Sequence, residues 1–181
     1  MAERTGEGLK AELQALRARI AELKAAAVEL VMNRSICSGK YIALVQGDVG
    51  AVQSSVAAGA EVAADALVDD MVLPHVHPAV VPALGNVMQP TELDALGIVE
   101  TFSVATMLEA ADGAAKTSHI EIMELRLAMA LGGKAFLTFT GSVAAVTAAV
   151  QNAANIARAK GMLVHDTVIA QPRPEIVRDL I

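Results

Sequence analysis

Aromatic side chains are almost missing from this 181-residue chain, at 2% of the composition, so its 54% of hydrophobic residues is carried by Ala, Val, Leu, Ile and Met. A core made from them is built of small and branched side chains. Cysteine occurs once, at Cys37. That excludes a disulfide within the chain, fits a reducing compartment, and lets the thiol join a cofactor site only together with other chains. No apolar run approaches the ~20 residues that cross a bilayer. The opening MAERTGEGLK carries charges where a signal peptide needs an apolar centre. The chain therefore reads as cytosolic, with no membrane partner. Clustered Lys and Arg are missing too: the formal charge is -6 with both signs interspersed, which excludes nucleic acid as a partner, because neutralising phosphates needs a basic face.

What the chain has in excess is apolar material. A mean hydropathy of +0.48 is high for a soluble monomer and predicts that some apolar surface is buried between subunits.

The chain is written twice. SGKYIALVQGDVGAVQSSVAAGAEVA aligns with GGKAFLTFTGSVAAVTAAVQNAANIA, pairing Gly39 with Gly133, Lys40 with Lys134, Gly47 with Gly141 and Val52 with Val146. After two inserted residues the register resumes, and Leu67, Asp70, Pro78 and Val81 match Leu163, Asp166, Pro174 and Val177. Each copy has an apolar run, a Gly-containing loop (SICSGK or ALGGK), a second run (KYIALVQ or KAFLTFT) and an Ala-rich helix. Two strand-like runs joined by a short Gly loop predict an antiparallel hairpin. Val49, Val52, Val56 and Ala63 fall close to a 3.6-residue period and predict a helix from about Val49 to Ala64. A further strand, LVDDMVL or LVHDTVI, is predicted next, and then a short Pro-initiated helix at HPAVVPAL or RPEIVRDL. The unit is α+β, and two units make the chain.

The copies differ at their starts. ALGIVETFS, residues 95 to 103, alternates like a strand and leads into the helical stretch VATMLEAADGAAKTS. Aligned on Lys24 and Lys116, the first copy has RTGEGL at that place, which does not read as a strand. Instead Leu9, Leu13, Leu16, Ile20 and Leu23 recur at spacings of four and three among Glu, Lys and Arg. This predicts one amphipathic helix from about residue 8 to 27, with the stripe packed against the sheet or another helix.

LGIVET opening a domain, the AAD…K helix, the GGK loop and the ending IAQPRPE resemble the BMC domain of bacterial microcompartment shell proteins, over about residues 24 to 181. Two such domains in one chain resemble the tandem class, whose trimers imitate the hexamer of single-domain members. NRSICSGKY, QGDVGAVQ and LPHVHPAVVPAL are similar to the propanediol-utilisation type within that class. The resemblance implies two tandem BMC domains, each an antiparallel-rich sheet flanked by helices: residues 1–85, a linker at 86–93, and residues 94–181. The first domain departs from the pattern, lacking the usual first strand, and its regular Glu, Lys, Ala, Leu and Arg content resembles a redesigned segment.

What the resemblance implies about residues follows position by position. Cys37 is the candidate metal ligand, three copies of it holding a four-iron iron-sulfur cluster at a three-fold axis. Ser38 and Gly39 line the same pore loop, with Leu131, Gly132 and Gly133 of the second domain alternating around the pore. Lys24, Lys116 and Arg173 lie where the family packs tile edges together. The implied partners are two further copies of the chain and other shell proteins, and the implied location is the microcompartment shell in the bacterial cytoplasm.

Other chemistry has little support. SGK and GGK lack the full GxxxxGK[ST] frame, and their Lys residues begin strands rather than helices, so tight-turn geometry explains them better than phosphate binding. His75 and His77 lack further ligands at metal spacing, and His119 and His165 lie elsewhere. No Ser/His/Asp order or carboxylate pair stands out, so an enzyme is not expected. The leading expectation is a structural shell tile. A small electron-transfer protein, or a small-molecule-binding regulatory module, stands as the alternative.

Overall fold

Two antiparallel hairpins with the same irregularity anchor the architecture. In the computed structural model β1 (Glu29–Ile36) pairs with β2 (Lys40–Gln46), and β4 (Glu121–Leu127) pairs with β5 (Ala135–Gly141). The register slips between Leu30 and Met32 in one and between Ile122 and Glu124 in the other, a bulge at Val31 and at its counterpart Met123. A bulge sets local bend and twist, so its recurrence makes the hairpins two renderings of one design. The structure describes residues 2–36, 39–84, 88, 90, 93–128, 132–173 and 175, with side chains of the N-terminal helix described from residue 14 onward. The chain divides into two compact units, Met1–Pro74 and His75–Ile181.

In the second unit β3 (Ala95–Thr101) pairs antiparallel with both β5 and β6 (Leu163–Ala170), giving the strand order β4-β5-β3-β6. Helices α3 (Val104–Thr117) and α4 (Val143–Ala159) pack on each other, and α4 lies against β3 and β6. Serine starts both helices: the Thr106 N–H donates to Ser103 Oγ at 3.3 Å, and the Ala145 N–H to Ser142 Oγ at 3.2 Å. Leu96 and Met123 form a buried cluster with Leu93, Ile98 and Ile169 packed against it.

The first unit carries α1 (Ala2–Ala25), the β1–β2 hairpin, α2 (Val49–Ala63) and a 3-10 turn at Ala64–Ala66. Among the described residues its sheet has two strands, one fewer than expected: the usual first strand is missing, as predicted, and a second expected strand is missing too. Residues 67–73 belong to no strand, which corrects the expectation for LVDDMVL. Their counterpart β6 is a strand because β3 lies beside it; the first copy has helix where that neighbour would be.

A second correction concerns residues 77–84, which form turns rather than a short helix. The Val80 N–H donates to the His77 carbonyl and the Leu84 N–H to the Val81 carbonyl, while the His77 imidazole Nδ1 accepts from the Ala79 N–H at 3.3 Å. Pro82 has no N–H to continue a helical ladder.

The third correction is the face that α1 buries. The helix runs Ala2–Ala25 against an expected 8 to 27, and within the chain Leu16, Ile20 and Leu23 stay exposed. The side that meets α2 holds the buried Ala18, with Gln14 Nε2 donating to the Val62 carbonyl and Ser55 Oγ to the Glu22 carbonyl. The Leu9 and Leu13 side chains lie outside the described residues.

Glu22 sits in that α1–α2 seam, where one carboxylate oxygen is buried without a hydrogen-bond partner among the described residues. Burial pushes its carboxyl above the usual carboxylate range, partly opposed by the Arg19 guanidinium. The folded state then holds this proton more tightly than the unfolded chain, so its contribution favours folding in acid and is lost as pH rises through the raised value. Glu22→Gln is expected to raise the unfolding temperature at neutral pH, with the gap closing toward about pH 4. Tyr41 is the only tyrosine and tryptophan is absent, so intrinsic fluorescence reads the first unit. An unchanged midpoint at neutral pH would contradict this account.

Candidate functional site

Both candidate pore loops are the tips of the repeated hairpins. In the first, the last paired rung is Ile36 with Lys40, which leaves residues 37–39 as the connection. Cys37 and Ser38 lie outside the described residues. Gly39 has φ +71°, and a Cβ built there would meet nothing within 4 Å. Glycine is therefore required here by backbone conformation rather than by crowding.

In the second hairpin the last rung is Leu127 with Ala135. Leu131 lies outside the described residues, while Gly132 and Gly133 have φ +63° and +90°. Consecutive left-handed residues turn the chain tightly and present backbone amides rather than side chains. Such a rim can attract small polar or anionic solutes.

Behind this loop Lys134 Nζ is 2.6 Å from Glu100 Oε1, tying the start of β5 to β3. The sequence reading missed this pairing, although GGK and the VET of LGIVETFS held its two ends. In the first unit the strand that would carry the counterpart of Glu100 is replaced by helix.

The proposed edge cations lie on different elements. Lys24 is exposed in the last turn of α1, and Arg173 is exposed beyond β6. Lys116, in the last turn of α3, reaches back one turn to Asp112 Oδ2 at 2.6 Å. Asp112 is buried, and its other oxygen accepts the His77 N–H at 2.7 Å. The Lys116 ammonium is therefore oriented by its own helix. The i, i+4 spacing of Asp112 and Lys116 was the signal that could have revealed it.

Among the described residues no group of three or more His, Cys, Asp or Glu side chains could hold a metal ion, and no helix is long and apolar enough to cross a membrane. His75 is exposed and His77 supports its own turn.

A family model described as the BMC domain matches residues 15–76 and again residues 95–172. The chain is 40% identical over 161 residues to the bacterial microcompartment shell protein PduT of Citrobacter freundii, covering 89% of this chain and 88% of that one. It is similar to the crystal structure of a microcompartment protein from Desulfitobacterium hafniense DCB, with a TM-score of 0.86 and 46% identity over 92% of each chain. A fused permuted hexameric shell protein from the RMM microcompartment shares the fold at 19% identity, with a TM-score of 0.58 over 78% of this chain and 74% of that one.

Proposed function

The chain belongs to the BMC-domain family as a tandem-domain structural shell protein of a bacterial microcompartment, and from that premise we propose that three copies close into a pseudohexameric tile with a central pore. Its role is structural rather than catalytic. The observation that carries the ring is the repeated hairpin, with the same bulge and a glycine loop at the same end of each copy. Two such units per chain supply six similar wedges, alternating in kind, to a closed three-fold ring. The loops carrying Gly39 and Gly132–Gly133 then face the axis, and Lys24, Lys116 and Arg173 serve the perimeter, where neighbouring tiles meet.

Light scattering on the purified protein checks this directly. A mass three times the 18.7 kDa of the chain is expected, and a monomer at micromolar concentration would sink both the tile and any shared site.

The pore loop of the first domain carries the finer proposal. Cys37 is the only thiol in the chain. One thiolate per chain suits an iron-sulfur cluster only where symmetry gathers several, and three chains bring three ligands. Such a cluster, when bound, supplies one-electron transfer across the tile. The chain's own part is to deliver the thiolates on short loops and to limit solvent access around them. Without a cluster, the same rim of backbone amides passes small polar metabolites.

A further inference from the structure

The repeat makes residues 77–84 of the first copy the counterparts of 173–180 of the second, in the register that pairs Pro78 with Pro174 and Val81 with Val177. Within the second unit, residues 77–84 cover α3 and the outer edge of β4. The His77 N–H bonds Asp112 on α3, the Leu125 N–H of β4 donates to the Ala83 carbonyl, and Leu84 bridges Leu125 in parallel. Val80 and Ala83 are buried by this docking.

Among the described residues, nothing covers the matching surface in the first unit. With Lys24 on Lys116, the residues Leu16, Ile20 and Leu23 of α1 correspond to Leu108, Asp112 and Ala115 of α3. The α3 residues are 7%, 6% and 8% exposed; those of α1 are 38%, 42% and 40% exposed. On the strand, Asn33 and Arg34 correspond to Leu125 and Arg126. Arg126 pairs with Glu124 at 2.6 Å, but the counterpart of Glu124 is Met32, and Arg34 Nε is buried with no hydrogen-bond partner among the described residues.

The second-copy tail has features that complete this surface. In sequence register Ile176 and Leu180 are the counterparts of the buried Val80 and Leu84, and Asp179 is the counterpart of Ala83, the residue bonded to the strand position next to Arg126. In the repeat register Asp179 is the acidic residue of the tail that corresponds most nearly to the neighbourhood of Arg34, where Met32 brings no counter-charge. The chain also leaves both copies by the same rare turn: His75 and its counterpart Gln171 both take positive φ, 54° and 48°.

We propose that residues 173–180 of one chain dock along the Leu16, Ile20 and Leu23 stripe of α1 and the outer edge of β1 in a neighbouring chain, with Asp179 beside Arg34. This rests on the trimeric reading, in which each second domain is followed round the ring by the first domain of the next chain. The stripe left exposed on α1 is then an interface, and each chain both gives a tail and receives one.

Site-directed disulfides test it in a Cys37→Ser background. Because His77 and Asp112 touch in the second unit, their counterparts Arg173 and Ile20 are the pair to replace. Arg173→Cys chains and Ile20→Cys chains are mixed, allowed to exchange subunits and oxidised. The expected product is a disulfide-linked dimer that neither population forms alone, and chains carrying both substitutions give covalent trimers on a non-reducing gel. A disulfide within one chain, or trimers by light scattering that form no link between chains, overturns the docking and leaves the ring standing. Monomers by light scattering overturn both. In a second arm Asp179→Arg alone is expected to weaken assembly roughly tenfold or more, and Arg34→Asp in the same chain to restore it. Two reversals that add rather than compensate contradict the pairing.

Discussion

Cys37→Ser, reconstituted with iron and sulfide without oxygen, is expected to hold no cluster, while the parent holds about four irons for every three chains. This effect is all or none, because no other thiol is available in the chain. A cluster bridges its irons through its own sulfides, so thiolates from separate chains share it without touching. Oxygen strips a cluster with three protein ligands, which is why the comparison is made anaerobically. If the variant and the parent bind the same iron, the cluster proposal is wrong and the cysteine is a small loop residue.

The second large effect lies in the β3–β5 pairing. Gly97→Ala is expected to lower stability by about 1–3 kcal/mol. Gly97 stands opposite Phe139, whose ring lies across it: an added Cβ would come within 2.5 Å of the ring carbon. Phe139 is fully buried, so the ring has no free space to enter. Phe139→Ala, which removes the ring and leaves a cavity, is expected to cost about 3–5 kcal/mol. Phe139→Leu combined with Gly97→Ala should cost less than the two separate losses added together, since the smaller side chain makes room for the added Cβ, which in turn fills part of the space the ring leaves. Urea unfolding followed by circular dichroism at one fixed protein concentration measures the parent and all four variants, Phe139→Leu alone included; fixing the concentration matters because assembly shifts the midpoint. A Gly97→Ala chain that unfolds at the parent's midpoint contradicts the crowding.

Most of the fold was legible because each element carried its own local signal. KYIALVQ and KAFLTFT read as strands, the glycine loops as hairpin turns, and the valine and alanine periodicity as helices; all of these stand. What failed depended on neighbours. LVDDMVL and LVHDTVI are nearly the same string, yet only the second is a strand, because only the second has β3 beside it. The leucine stripe of α1 announced an apolar face correctly, but periodicity does not say whether its partner lies in the same chain. Glu22 could not have been read as a seam residue, since a glutamate at helical spacing among Lys and Arg looks solvated. In the candidate site, the Gly39 and Gly133 positions were legible from the repeat, whereas the ion pairs that set Lys116 and Lys134 needed the packing of α3 and β3.

The strand order of the second unit also governs when it can form. β3, from the beginning of that unit's sequence, lies between β5 and β6, and β6 is the last strand to leave the ribosome. The sheet therefore closes only after Ala170 is available, so its pairing is long in sequence and slow to nucleate. The first unit joins α1, one hairpin and α2 through short connections, and all of them are complete by Ala63. During synthesis the first unit of the chain is assembled while the second is still open, with the apolar faces of β3 and α3 in need of protection until β6 arrives.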